Sequence, residues 1–475
     1  MTAVPNQSSP CGYSPEVDAI YRDSLRSLYL QKNWSDDAVK KGSPTVTGKR
    51  YSRGDIKSLK VSIEAHCRSL ERIRKAGDQL RQRTLAEDLI LPSFHSHVCA
   101  LLRAHARRSS YICLEGLFQA AGRSKQWLPL TEEIVAQWHW KPKGGLRLIR
   151  SEGPRRTARR LVIRDMLHVM KVDSDIDYSR RGAGGERAFV GQVCKSIDGG
   201  LRWWWTPDIK SYFASLRPGH LKWLPLTRLL VKNDVFTPRC AKVRVIIPKD
   251  VKKVLHALRK QYSSLHVNTI SDLISFTVQK VRLGLPEGST LSPLIARGFV
   301  GRELRTLFGS PGIARSSFMD DLAIGTRSRK NIDAAVTVLT ERFLSHPAGP
   351  IELHPVKPTD AVAWVKGGNE IELLGYKLQP GAGHGANKVH VKPGPRRTNR
   401  FKVKLGERLK KADKSLEPYD VGLDYWRHWY QSQQAWTKVP GYSELVSEII
   451  TLSYIDDCIH GNPMGKNAIS PNKSV

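Results

Sequence analysis

The chain has 475 residues, with 77 Lys+Arg against 44 Asp+Glu and a formal net charge of +33. At 40% hydrophobic and 8% aromatic it is not a disordered chain, and its length suffices for two or three structural units with cores of their own. A charge so far from zero points to a polyanionic partner, nucleic acid ahead of an anionic membrane.

The opening stretch MTAVPNQSSPCGYSPEVD lacks the basic-then-apolar order of a secretory leader. No stretch approaches the roughly 18–20 apolar residues of a membrane span, so a cytoplasmic location away from membranes is expected. Seven scattered cysteines (Cys11, Cys67, Cys99, Cys113, Cys194, Cys240, Cys458) form no CxxC pair, which fits free thiols in a reducing compartment. His95, His97 and Cys99 sit close together in SFHSHVC, but a zinc site needs a fourth ligand, and ordinary helix residues are the better reading.

Residues 1–50, rich in Ser, Pro, Gly and Lys, read as mobile chain around a small helix at AIYRDSLRSLYLQ. Leu59, Val61, Ile63, Leu70, Ile73 and Leu80 recur at roughly helical spacing through a highly charged stretch, and HVCALLRAHARR and EGLFQAAGR continue the helical pattern. QWHWKPKGGLRLIR reads as two short strands around a Lys-Gly-Gly turn, and RLVIRDMLHVM as a helix. LRWWWTPD and KVRVIIPKD are strand candidates. SPLIARGFVGRELRTLF predicts a helix with Ser292 as N-cap and Pro293 at N1. ARSSFMDDLAIGTR predicts two strands meeting at an acidic turn, NIDAAVTVLTERFLSH an amphipathic helix, and NEIELLGYKLQPG a strand pair. Strands and helices mix without strict alternation, so the class is α+β. The last eighty residues or so are basic and read as helical, broken near Pro418 and Pro440.

Three features carry chemistry, in this order: Asp208 in TPDIKSYFASL, the glycine-rich GLPEGSTLSP, and Asp320-Asp321 in SFMDDLAIG. A strand-borne aspartate and an acidic pair at a hairpin turn could hold two divalent cations. Mg²⁺, a hard ion, suits carboxylates, with Mn²⁺ as an alternative. Two such ions can activate a 3′-hydroxyl and neutralise a leaving pyrophosphate. The glycine-rich turn lets backbone approach a nucleotide closely. Asp-Asp pairs also stand at Asp36-Asp37 and Asp456-Asp457; SYIDDCIH is set aside because it lies far beyond the glycine-rich element, near the end of the chain.

Taken together, this ordered set resembles the bacterial reverse transcriptase family. DIKSYFASL resembles its first catalytic motif, GLPEGSTLSPLIA its GLPQGxxxSPxLA motif, and FMDD its two-aspartate hairpin. Lys357 in LHPVKPTD and the strand ELLGYKL resemble the motifs that follow; KPKGGLRLIRSEGPRR, RLVIRD and SRRGAGGERA resemble those upstream. The resemblance implies a right-hand polymerase: a partly helical N-terminal extension over 1–130, fingers and a palm with an antiparallel sheet over 131–392, and a basic helical thumb over 393–475. It implies Asp208 and Asp320 as the main metal ligands, with Asp321 a weaker ligand or a structural acceptor. Phe213 takes the place of an aromatic steric gate that would clash with a ribose 2′-hydroxyl; the alternative is a core aromatic. Lys143, Arg147, Glu287, Gly288 and Lys357 are the further nucleotide-binding candidates.

Eight Lys/Arg between Lys141 and Arg160 face only Glu152, and nine between Pro393 and Lys414 face Glu407 and Asp413. From these, Arg155, Arg156, Arg396, Arg397, Arg400, Lys402 and Lys404 are the expected nucleic-acid contacts. Trp426, Trp429, Tyr430 and Trp436 read as packing first and base stacking second. The clearest departure from the family pattern is Glu287, where most relatives carry glutamine. An ionised carboxylate cannot donate to a nucleotide and would repel a triphosphate, so Glu287 either marks an altered pocket, the preferred reading, or turns away to pair with a base such as Arg282.

The expected partners are an RNA template, a DNA product and deoxynucleoside triphosphates; a dedicated non-coding RNA, a protein partner or a homo-oligomer stays open. The leading expectation is an RNA-directed DNA polymerase, a stand-alone bacterial enzyme of antiviral defence by analogy with such polymerases. Template-independent or protein-primed DNA synthesis, RNA-directed RNA synthesis and a non-catalytic RNA-binding scaffold are the alternatives.

Overall fold

The computed structural model describes residues 12–40, 51–108, 110–124, 130, 132–141, 145–172, 175–180, 183–262, 266–309, 312–346, 350–360, 371–380, 389–411 and 420–426. Its strands, in chain order, are β1 (Ile134–Trp140), β2 (Leu146–Ser151), β3 (Trp203–Trp205), β4 (Val243–Ile246), β5 (Ile313–Phe318), β6 (Asp321–Thr326), β7 (Thr359–Asp360), β8 (Ile371–Leu373), β9 (Tyr376–Pro380) and β10 (Val389–Pro393). Its helices are α1 (Pro15–Lys40), α2 (Arg53–Lys75), α3 (Gln79–Leu89), α4 (Phe94–Arg107), α5 (Leu114–Ser124), α6 (Pro154–Val169), α7 (Gly185–Asp198), α8 (Tyr212–Ser215), α9 (Arg228–Leu230), α10 (Val251–Gln261), α11 (Ile270–Arg282), α12 (Ser292–Leu307), α13 (Arg329–Leu344) and α14 (Pro395–Lys411). The fold mixes helices with small sheets. Two compact units are each drawn from separated stretches of chain: unit 1 from Met1–Asp175, Ile209–Leu307 and Leu339–Leu353, and unit 2 from Ile176–Asp208, Phe308–Val338 and His354–Val475.

Unit 1 opens with a helical bundle. α1 runs 26 residues, well beyond the small helix expected. Pro15 starts it, Glu16 and Asp18 complement its positive end, and Asp18 pairs with Arg22 at 2.7 Å. Val17, Ile20, Tyr21, Ser24, Leu28 and Gln31 then make a buried stripe at three- and four-residue spacing. α2 begins in a capping box: the Asp55 N–H donates to Ser52 Oγ at 3.1 Å, and the Ser52 N–H to Asp55 Oδ2 at 2.8 Å. α4 is buried along most of its length because α1, α2, α5 and α6 all pack against it. SFHSHVC therefore folds into helical core: His97 and Cys99 are buried, and His97 Nε2 donates to the Leu91 carbonyl at 2.9 Å. Arg103, fully buried on α4, pairs with Asp165 of α6, while His66 Nε2 meets the same carboxylate at 3.3 Å. Burial alone would raise the Asp165 pKa; Arg103, His66 and Arg164 more than offset it and hold the carboxyl well below its ordinary range.

The sheet of unit 1 has the order β2-β1-β4. β1 and β2 form the antiparallel pair expected around the Lys-Gly-Gly turn, and the parallel partner β4 completes it. Ile134, Ala136 and Trp138 alternate inward along β1. The Trp138 indole stacks on Phe276 of α11, with centroids 6.0 Å apart, and donates to Thr277 Oγ1 at 2.8 Å. Burying each such ring stabilises the unit by about 1.5–3 kcal/mol. α12 starts at Ser292, but not as expected. Ser292 is already helical, and its hydroxyl donates to the Pro286 carbonyl at 2.8 Å, tying the glycine-rich loop to the helix instead of capping it.

Unit 2 is built on a four-stranded antiparallel sheet ordered β5-β6-β3-β7. Phe189, Val190 and Val193 of α7 share one core with Trp204, Ala323 and the inward residues of the antiparallel sheet β10-β9-β8. The register sets Trp204 of β3 opposite Gly325 of β6. The indole lies so close over Gly325 that a Cβ there would stand 2.5 Å from Trp204 Cζ2. The expected strand pair at ELLGYKL is β8–β9, turning through Leu374 and Gly375 at φ of 53° and 75°, as a two-residue primed hairpin requires. Phe401 and Leu405 bury one face of α14, and Phe401 stacks on Tyr425 at 5.3 Å. Trp429, Tyr430 and Trp436 lie outside the described residues.

Candidate functional site

The three aspartates all belong to unit 2. β5 and β6 meet at Met319-Asp320, with Phe318 opposite Asp321 closing the hairpin. Met319 adopts φ 61°, a left-handed conformation that glycine takes readily and other residues take at a cost of about 1–2 kcal/mol. Beyond the end of β3, the Leu322 N–H donates to the Pro207 carbonyl at 3.1 Å, and Asp208 forms an isolated antiparallel bridge with Asp321. Residues directly opposite in such a bridge have Cβ atoms about 5 Å apart on one face. Asp208 and Asp321 are thus brought together, with Asp320 one residue away at the turn, and all three are half-buried.

His354, which sequence reasoning missed, joins them. Its N–H donates to the Asp208 carbonyl at 2.8 Å, and its Nε2 stands 3.9 Å from Asp208 Oδ2. The sequence LHPVKPTD carries no local signal for this, because the pairing joins stretches far apart in the chain. Lys357 is exposed three residues on, beside Val356, whose carbonyl accepts from Trp205 Nε1 at 3.0 Å. Among the described residues no three His, Cys, Asp or Glu side chains form a ready metal cage. The donor set nevertheless fits Mg²⁺, which is commonly held by one or two carboxylates and completed by water and substrate phosphate.

The glycine-rich loop lies in unit 1, as do Arg147 and Phe213. Gly284, at φ 67°, sits against backbone: a Cβ there would meet the Phe213 carbonyl at 2.4 Å and Ala214 Cα at 2.5 Å. The Leu285 N–H donates to that carbonyl at 2.7 Å. The Phe213 ring is half-buried and tilted against Tyr212, whose hydroxyl donates to the Ala296 carbonyl. Glu287 pairs with Arg147 Nε at 3.0 Å rather than with Arg282, so two nucleotide-binding candidates meet each other. Gly288 is exposed at φ 85°. Arg150 donates to the carbonyls of Val281 at 2.7 Å and Leu283 at 3.1 Å, fastening β2 to the chain that enters the loop. Burial, then the neighbouring Arg160, pushes its pKa down to about 10, so it stays charged at neutral pH. Lys143 lies outside the described residues.

The basic candidates divide by burial. Arg156 is 1% exposed, with its guanidinium beside the carbonyls of Leu130 and Glu132; it is a core residue of unit 1 and not a surface for phosphates. Arg155 is half-buried, and Glu132 accepts from the N–H groups of both Arg155 and Arg156, capping α6. In unit 2, Arg397 donates to Glu186 at 2.7 Å and to the Leu374 carbonyl at 2.9 Å, over the Tyr376 ring at 3.8 Å. It fastens α14 to α7 and the β8–β9 turn. Arg400 and Lys404 are exposed on α14, and Lys402 is half-buried. The Arg396 side chain lies outside the described residues.

No family model and no curated protein matches the chain. Among solved structures, telomerase from Candida albicans in complex with the TWJ fragment of telomeric RNA resembles it at a TM-score of 0.34 and 9% identity, over 68% of this chain. The chain spans 59% of that telomerase chain's length. A likeness at this level defines neither the fold nor a role. No helix among the described residues is long and apolar enough to cross a membrane.

Proposed function

We propose that the protein is an RNA-directed DNA polymerase, adding deoxynucleotides to a 3′ end with the help of two Mg²⁺ ions. The observation that supports this reading is the bridge that sets Asp208 opposite Asp321, beside a strained two-residue turn carrying Asp320. Bound metal would supply charge neutralisation at the reacting phosphate. Asp208, Asp320 and Asp321 would hold it, and Lys357 would serve the triphosphate. RNA template, DNA product and deoxynucleoside triphosphates are the partners this implies. The proposed setting is antiviral defence in the bacterial cytoplasm, by analogy with stand-alone enzymes that share the ordered motifs.

The deciding experiment is primer extension on an RNA template with Mg²⁺, comparing wild type with Asp208→Ala, Asp320→Ala and Asp456→Ala. The first two should lose incorporation by orders of magnitude while keeping the wild-type circular dichroism spectrum; the third should be unaffected. Synthesis by Asp208→Ala at the wild-type rate would refute the assignment.

A further inference from the structure

Unit 1 holds a cleft of 180 Å³ where the end of α4, the β2–α6 junction and the glycine-rich loop converge. Four arginines line it: Arg107 and Arg108 from α4 and its C-cap, Arg150 from β2 and Arg160 from α6. Each of its two lining carboxylates faces an arginine through one oxygen. Glu152 Oε2 meets Arg160 Nη1 at 2.7 Å, and Glu287 pairs with Arg147, which does not line the cleft. Arg150 spends its hydrogen bonds on neutral carbonyls, and Arg107 shares Asp23 at 3.2 Å. The balance is positive.

Five lining atoms are buried without a hydrogen-bond partner among the described residues: Nε of Arg150, Nη1 and Nη2 of Arg160, a residue 1% exposed, Oγ1 of Thr290, and one acceptor, Oε1 of Glu152. Unsatisfied buried donors are costly and call for a ligand that accepts. Guanidinium forks beside hydroxyls match the several acceptor oxygens of a tetrahedral oxyanion. The cleft is smaller than the roughly 300 Å³ at which sites begin to enclose drug-sized ligands, so it fits a phosphate or pyrophosphate group and not a whole nucleotide.

We propose that this cleft is an anion site that binds a phosphate or pyrophosphate group, assembled in part by the N-terminal helices. It stands on the geometry of unit 1 and does not depend on the polymerase reading. The group could arrive on a nucleoside triphosphate or on the 5′ end of a nucleic-acid strand, and the chemistry of recognition is the same.

The test is calorimetric titration of the full chain with pyrophosphate in metal-free buffer. Wild type should bind saturably. Arg108→Gln and Thr290→Val should each weaken binding, the arginine change by about tenfold or more. Arg239→Gln, an exposed arginine of the same unit outside the cleft, should leave it unchanged. Parallel titrations with a deoxynucleoside triphosphate, and with one RNA oligonucleotide carrying either a 5′-phosphate or a 5′-hydroxyl, distinguish the sources. Loss of triphosphate affinity in Arg108→Gln identifies the nucleotide, and loss of the 5′-phosphate preference identifies the strand end. No saturable pyrophosphate binding, or equal affinity in wild type, Arg108→Gln and Thr290→Val, would overturn the proposal whatever the outcome of primer extension.

Discussion

Gly325→Ala tests whether packing across β3 and β6 holds the aspartates in place. The new methyl would lie 2.5–2.7 Å from three atoms of the Trp204 indole, far inside van der Waals contact. Trp204 cannot swing aside freely: it is 1% exposed, and its Nε1 donates to the Leu201 carbonyl at 3.0 Å. Overpacking of this kind costs about 1–3 kcal/mol, and breaking the indole hydrogen bond adds about 1 kcal/mol. A loss of about 2–4 kcal/mol should move the urea midpoint by about 1–2 M at an unchanged slope. Because Asp208 follows Trp205 by three residues, incorporation should fall as well. Adding Trp204→Phe makes room for the methyl, so the double variant should be less destabilised than the sum of the singles. Gly406→Ala, on α14 with no atom within 4 Å of the added carbon, should instead stabilise by up to about 1 kcal/mol. A Gly325→Ala protein with the wild-type midpoint would show that the strands part to admit the methyl and that the close fit positions nothing.

Met319→Gly should raise stability by about 1 kcal/mol through relief of the left-handed backbone, while lowering incorporation because Asp320 is held less firmly; thermal unfolding and primer extension read the two effects separately. Phe213→Val should raise ribonucleotide incorporation relative to deoxynucleotide in a competition assay, and unchanged discrimination would make the ring a packing residue. Glu287→Gln should free Arg147 and alter the KM for deoxynucleotides, so identical kinetics would count against a nucleotide-pocket role for the pair. Burial pushes the His97 pKa down to about 4, against about 6.5 when unfolded. Below pH 6.5 the unfolded chain takes up a proton that the folded one refuses, so this contribution is full above pH 6.5. It is lost toward pH 4, by on the order of 3 kcal/mol. His97→Gln, followed by urea titration across that range, should flatten the fall.

The hairpins were legible because their signals are local. Alternating apolar residues around FMDD and around ELLGYKL specify β5–β6 and β8–β9 within a dozen residues of chain. Even there, the pattern did not show that Met319, and not a glycine, would take the left-handed position. What escaped depends on partners distant in sequence. The charged surface of α1 hid a buried stripe whose meaning comes from α4. Arg156 and Arg397 looked like phosphate contacts by composition, yet one is buried beside main-chain carbonyls and the other is spent on Glu186. The parallel pairing of β1 with β4 and the approach of His354 to Asp208 join segments with no shared local pattern.

Unit 2 has a consequence for how the chain is made. β3, the run of three tryptophans, lies between β6 and β7, and both neighbours are synthesised later. At about 5–20 residues per second, roughly 120 residues of further translation separate β3 from the last residue of β6, a delay of about 6–25 s. Throughout that interval both edges of β3 lack their partners, and Trp204 lacks the glycine it covers. A ribosome stalled between β3 and β6 would therefore hold a nascent chain with an aromatic, unpaired strand, the species for which chaperones and co-translational aggregation compete.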